Sequence, residues 1–131
     1  IKLNDIHNCF YIKGNLVGYT LLRKRKIIFS NKKINYFLFD TLIIKKNLRK
    51  KKLSSLMMLF NNSVILKHNK ISFLTCSNEL VNFYKKFEWI RASKKKFEIM
   101  DHNFNSNGMF FNFGKKGIYN LNKPLNIYIN K

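Results

Sequence analysis

The chain has 131 residues and a formal net charge of +20, and apolar residues make up 46% of it. That length supports one domain with one core, and the 13 Phe supply enough surface to bury to exclude intrinsic disorder. Taken alone, the charge suggests a nucleic-acid or anionic-membrane partner, but it comes from 22 Lys against 4 Arg in a chain that also holds 19 Asn and 15 Ile. Lys, Asn, Ile and Phe are the residues of AT-rich codons, and together they exceed half of the sequence. Readout of phosphate or guanine recruits the planar fork of Arg, which is scarce here. The larger share of the charge is therefore assigned to nucleotide composition, although so positive a field concentrates any anion, a phosphorylated cofactor included.

Cys9 and Cys76 stand far apart without metal-ligand spacing, and His7, His68 and His102 form no pair four residues apart. Neither a zinc site nor a disulfide framework is expected. Cys76 closes an apolar run and reads as a small buried hydrophobe. No apolar stretch approaches the ~20 residues of a membrane span, and no signal-peptide pattern is present, so a cytoplasmic location without a membrane partner is expected. The first residue is Ile1, not Met, with a strand-like segment beginning within ten residues of it; either something has been removed or the chain is a piece of a longer one.

In chain order, an apolar run at 9–13 meets Gly14-Asn15, a two-residue hairpin signal, and a second run follows at 16–22. A basic connection, 23–33, leads to 34–44, whose continuous apolar character predicts a central strand buried on both faces. After a charged turn at 45–52, Leu53, Leu56, Met57, Phe60 and Val64 recur at spacings of three and four, which predicts a helix over 52–68. Asn69-Lys70 ends it, and 71–76 reads as another buried strand. Strand, helix and strand in this length imply a right-handed crossover and a parallel pair. Ser77 then caps a second helix, with Glu79 in its first turn and Leu80, Phe83, Tyr84 and Phe87 as its apolar stripe, ending near Glu88. Residues 89–92, 97–100 and 108–113 read as closing antiparallel strands, and 120–131, with the only proline, Pro124, as an edge strand or tail.

Two segments carry chemistry. Leu48-Arg49-Lys50-Lys51-Lys52-Leu53-Ser54-Ser55-Leu56-Met57 joins the central strand to the first helix, and the unpaired N–H groups and dipole of a helix start form an anion site to which successive lysines add charge. Ser77-Asn78-Glu79-Leu80-Val81-Asn82-Phe83-Tyr84-Lys85-Lys86-Phe87-Glu88-Trp89 sets a Phe-Tyr on a helix just before the next strand. In this order the two segments resemble those of the GCN5-related N-acetyltransferase (GNAT) superfamily. The second is especially similar to the arylalkylamine N-acetyltransferase version, in which a Leu-Val precedes the Phe-Tyr. The superfamily's first loop reads Gln or Arg, two residues, Gly, one residue, Gly or Ala. Arg49 matches it, while Lys52 and Ser54 stand in place of the glycines, and Glu88 replaces the glycine of the second segment.

The resemblance implies an α/β (α+β) fold: a mixed, mostly antiparallel sheet with a central splayed parallel pair and flanking helices. It implies a single domain over 1–131 that lacks the family's N-terminal strand and helices. The implied activity is acyl-CoA-dependent N-acyl transfer, with acetyl-CoA as co-substrate, no metal, and a small-molecule or peptide amine attacking directly. By the same resemblance Arg49, Lys50, Lys51, Lys52, Leu53 and Ser54 cradle the pyrophosphate. The main chain of Leu42, Ile43 and Ile44 pairs with the pantetheine as an added strand, Asn78 and Phe83 complete the cofactor site, and Tyr84 is the acid beside the thioester sulfur. An amine attacking a thioester also needs a base. Of the six carboxylates, Asp40 stands alone inside the central strand, where desolvation would raise its pKa and a role as base or acceptor-binding group is suspected. It also falls near the position of a catalytic histidine in arylalkylamine enzymes. Taken by themselves, Phe83, Phe87 and Trp89 read as ordinary core. Two competing readings are a catalytically degenerate domain of the same fold, because three glycine positions are changed, and a basic nucleic-acid-binding module, which the scarcity of Arg disfavours. Oligomeric state is open, a homodimer included.

Overall fold

The computed structural model describes residues 4–50, 52–103, 105–113 and 124–131. Three antiparallel strands open the chain: β1 (Ile6–Ile12), β2 (Asn15–Phe29) and β3 (Lys32–Ile44). Each turn between them holds two residues of positive φ, Lys13 (49°) with Gly14 (80°) and Ser30 (45°) with Asn31 (64°). Two such residues make the I′ hairpin turn, whose twist matches the flanking strands. The first turn therefore lies one residue before the Gly14-Asn15 signal, because Asn15 already pairs with Ile12.

The expected basic connection at 23–33 is not a connection. It is the far half of β2, the Ser30-Asn31 turn and the start of β3, paired from Leu22 opposite Phe39 to Phe29 opposite Lys32. Charge concealed the strand, because one of its inward positions is Arg25, buried with its guanidinium 3.8 Å from the Asp5 carboxylate. That guanidinium also donates to the carbonyls of Ile129 and Lys24, each at 2.9 Å. A buried cation with these partners is satisfied, as burial requires.

A short 3-10 turn (Lys46–Leu48) precedes α1 (Leu53–Lys67), β4 (Ser72–Cys76), α2 (Asn78–Lys85), β5 (Ile90–Arg91), β6 (Phe97–Ile99), β7 (Asn107–Phe111) and β8 (Leu125–Ile127). The sheet runs β5-β7-β4-β3-β2-β8-β6, with β1 on the first half of β2. Only β3 with β4 and β6 with β8 are parallel among the described pairs. The segment read as an edge strand or tail thus supplies an interior strand, β8, while 120–123 lie outside the described residues. No helix among the described residues is long and apolar enough to cross a membrane.

The core forms on both faces of the sheet. On one, Leu22, Phe37, Phe39, Leu74, Met109 and Phe111 meet Met58 and Ile65 of α1, Val81 and Tyr84 of α2, and Trp89. On the other, Ile27, Tyr36, Leu38, Phe73 and Phe110 lie beneath Phe97, Leu125 and Ile127. The helices cover one face, and the β6 and β8 strands bring the cover of the other. Gly108 lies tightly under the second cover, since an added Cβ would stand 2.5 Å from the Phe97 ring and 2.8 Å from that of Phe73. Gly108→Ala is expected to destabilise the fold by about 1–3 kcal/mol, read as a lower urea midpoint.

The first helix is rolled relative to expectation. Its buried side chains are Met57, Met58, Asn61, Asn62 and Ile65, while Leu56 and Phe60 of the predicted stripe face solvent. Specific partners outweigh apolarity here. Asn62 donates to the Phe87 carbonyl (2.9 Å) and accepts from the Trp89 indole (3.0 Å), and Asn61 accepts from Asn8 (3.4 Å).

Candidate active site

Parallel pairing of β3 with β4 is confined to Phe37 opposite Ser72 and Leu38 opposite Phe73. The Phe37 N–H donates to the Ile71 carbonyl (2.9 Å), and the Ser72 hydroxyl to the Phe37 carbonyl (2.7 Å). Just beyond, β3 bulges: Leu22 faces Phe39 and Leu21 faces Thr41, so Asp40 is the extra residue. A bulge bends its strand, and this one sits where the parallel partners part. The remainder of β3, to Ile44, has no partner on its β4 side among the described residues.

A cavity of about 390 Å³ opens in that gap. It is lined by Leu42, Ile43 and Ile44 of β3, by Arg49, Lys50 and Ser54 where the loop enters α1, and by Leu80, Phe83 and Tyr84 of α2. Its volume falls in the roughly 300–1,000 Å³ range of small-molecule sites. Arg49 is anchored by a bond from Nε to the Ile44 carbonyl (3.1 Å). The first turn of α1 has neither an acidic residue nor a side-chain cap, so its first N–H groups keep their donor capacity in a positive setting. Tyr84, 9% exposed, is held by the rings of Phe39, Phe83 and Trp89 at centroid distances of 6.2, 5.1 and 6.3 Å. Burial, helped by nearby Cys76, pushes its hydroxyl up to about 12.

No protein-family model matches the sequence, and no curated protein does. Solved structures match it by shape. YhbS of Escherichia coli, a GNAT-family N-acetyltransferase in complex with CoA, superposes with a TM-score of 0.65 at 9% identity, over 88% of this chain and 62% of that one. The chain has the GNAT fold. ElaA of Escherichia coli gives a TM-score of 0.63 at 20% identity over 84% of this chain and 70% of its own. A mutant of the toxin AtaT, bound to acetyl-CoA and to the C-terminus of the antitoxin AtaR, gives 0.56 at 17% over 73% and 58%. The chain thus spans 58–70% of these three proteins.

Within this GNAT fold the residues predicted from sequence are distributed as follows. Leu42, Ile43, Ile44, Arg49, Lys50, Ser54, Phe83 and Tyr84 gather around this cavity. Lys52 and Leu53 form the start of α1 beside it, and Lys51 lies outside the described residues. Asn78 is turned toward β7, its side-chain oxygen accepting from Asn107 (2.7 Å), which also donates to the Cys76 carbonyl (3.3 Å). Asp40 is not the desolvated carboxylate expected. The bulge leaves it exposed, 2.8 Å from Arg23 Nε on the adjoining strand. Leu80, read as core, is 44% exposed and lines the cavity instead, because α2 turns Val81 and Tyr84 inward. Sequence gave no signal for one further pair. His7 Nδ1 lies 2.6 Å from the Tyr19 hydroxyl, and Tyr19 stands opposite the cavity residue Ile43.

Two of the three positions where the resemblance expects glycine have left-handed backbone, and the third, Ser54, lies within α1 and does not. Lys52 has φ 61° and Glu88 φ 68°, and Lys50 in the same loop has φ 70°. These are left-handed conformations that favour glycine. At Lys50, Lys52 and Glu88 a glycine would adopt the observed backbone with less strain. Lys52→Gly and Glu88→Gly are each expected to stabilise the fold by about 1 kcal/mol, seen as a higher urea midpoint at unchanged slope.

Proposed function

We propose that the chain is an acyl-CoA-dependent N-acyltransferase that passes an acetyl group from acetyl-CoA directly to a primary amine. One observation carries this reading: the loop, the unpaired edge of β3 and Tyr84 converge on a single cavity. The residues present suit the cofactor. Arg49, Lys50 and the N–H groups at the start of α1 offer charge and donors to phosphates. The free main-chain edge from Leu42 to Ile44 offers alternating donors and acceptors to an amide-bearing arm, and Leu80 and Phe83 offer it apolar contact. Lys52, Leu53 and Asn78 stand around this cradle, with Lys51 in the same loop.

When bound, acetyl-CoA supplies an acyl thioester already activated toward amines. Tyr84 stays protonated throughout the neutral range. Since an ordinary thiol ionises near 8.5, its phenol is the weaker acid, and it steadies negative charge on sulfur by donating a hydrogen bond rather than by surrendering its proton. Asp40, at the bulge, is assigned to hold or deprotonate the acceptor's ammonium once its carboxylate parts from Arg23. The overall charge opposes a polycationic acceptor and favours a small amine, an amino sugar or an acidic-flanked peptide. The open cavity, with Arg49 and Tyr84 both on its wall, favours an active enzyme over a degenerate domain. The Leu80-Val81 before Phe83-Tyr84 favours kinship with arylalkylamine enzymes.

Isothermal titration with acetyl-CoA is expected to give a saturable heat at micromolar cofactor, weakening with added salt as phosphate contacts are screened. No heat at high micromolar cofactor would overturn the reading. Saturable binding with no turnover across a panel of amines would instead select the degenerate domain.

A further inference from the structure

α1 buries two asparagines yet leaves Leu56, Leu59, Phe60 and Leu66 between 50% and 64% exposed. Single exposed leucines need no explanation, but these are not isolated. Phe60 meets the Phe10 ring edge-on at 5.5 Å, which joins the helix to the β1–β2 hairpin. On that hairpin Ile12 (46% exposed) lies two residues beyond Phe10 and so on the same face of the strand. The result is an apolar strip across two elements, with nothing packed over it among the described residues.

The rim of this strip is positive. Lys13 stands at the hairpin tip, Lys52 at the start of α1 and Lys67 in its last turn, all exposed. Residues 6–78 contain one acid, Asp40, and it is engaged by Arg23. A second copy of a chain carrying +20 would meet like charge there, which opposes self-association. An acidic occupant is drawn in, and an apolar stripe at helical spacing would lie along the strip. We infer that the outward face of α1 together with the β1–β2 hairpin is a docking surface for an acidic amphipathic segment of a partner protein.

The test uses the whole chain and a labelled synthetic peptide of about four helical turns, with leucines at helical spacing and glutamates elsewhere, followed by fluorescence anisotropy. A control peptide carries lysine in place of every glutamate. The acidic peptide is expected to saturate, and the basic one to bind at least about tenfold more weakly. Leu59→Ser and Phe60→Ser, both at exposed positions, are expected to weaken the acidic peptide by about tenfold each, with circular dichroism confirming an unchanged fold. No binding of the acidic peptide, or equal binding by the wild-type chain and both variants, overturns the inference, the second outcome showing charge attraction alone. Sedimentation that reveals a wild-type dimer lost in Leu59→Ser would also overturn it, giving the face to a second copy.

Discussion

Tyr84→Phe should lower kcat by about a hundredfold or more while leaving acetyl-CoA affinity within about twofold. The substitution removes one oxygen and keeps the ring, so the contacts with Phe39, Phe83 and Trp89 persist and only the hydrogen bond proposed to steady the sulfur would be lost. Thiol release measured at saturating cofactor separates the two quantities. A variant that turns over like the wild type removes Tyr84 from the chemistry. The pH profile makes a second check. With the hydroxyl pushed up to about 12, its ionisation should produce no falling limb between about pH 7 and about pH 10. The same raised value bears on stability with a definite sign. In the unfolded chain a tyrosine ionises near 10, so the contribution of Tyr84 is complete below that pH and is lost as pH rises toward about 12.

The largest expected loss of stability is at Trp89. Its side chain is 1% exposed, stacks on Phe111 with centroids 5.4 Å apart, and donates its indole N–H to the Asn62 side-chain oxygen at 3.0 Å. Trp89→Ala should cost about 3–5 kcal/mol by cavity formation, before counting the buried oxygen left without its donor. Against a total stability of about 5–15 kcal/mol, that places the variant near unfolding. Trp89→Phe should retain more of the packing but not the hydrogen bond, so its urea midpoint should fall between those of the wild type and Trp89→Ala.

The parts of this molecule legible in the sequence are those with short-range causes. The Phe83-Tyr84 helix, the basic turn and the buried strand on either side of α1 each announce themselves within a dozen residues, and they place the splayed pair and most of the cavity wall. What was not legible depends on distant partners. Nothing near Arg25 says that Asp5 and the Ile129 carbonyl will satisfy it inside a strand, and so half of β2 read as a connection. Asn61 and Asn62 look like the outer face of α1 until Asn8, Phe87 and Trp89 are brought to them. Asp40 seemed buried by its neighbours, yet the bulge that exposes it is a mismatch in count between two strands, which one strand alone does not reveal.

The position of β8 constrains the order of events during synthesis. Ile127 pairs with Ile27 inside the sheet, between β2 and β6, and Arg25 holds the Ile129 carbonyl 104 residues away in sequence. The β2–β3 hairpin closes through a two-residue turn and can zip as soon as it leaves the ribosome. Its free edge must then wait until Ile127 has been made, and contacts so far apart in sequence form slowly. During that interval the nascent chain presents Ile27 and its neighbours on an open strand, the kind of surface that chaperones bind.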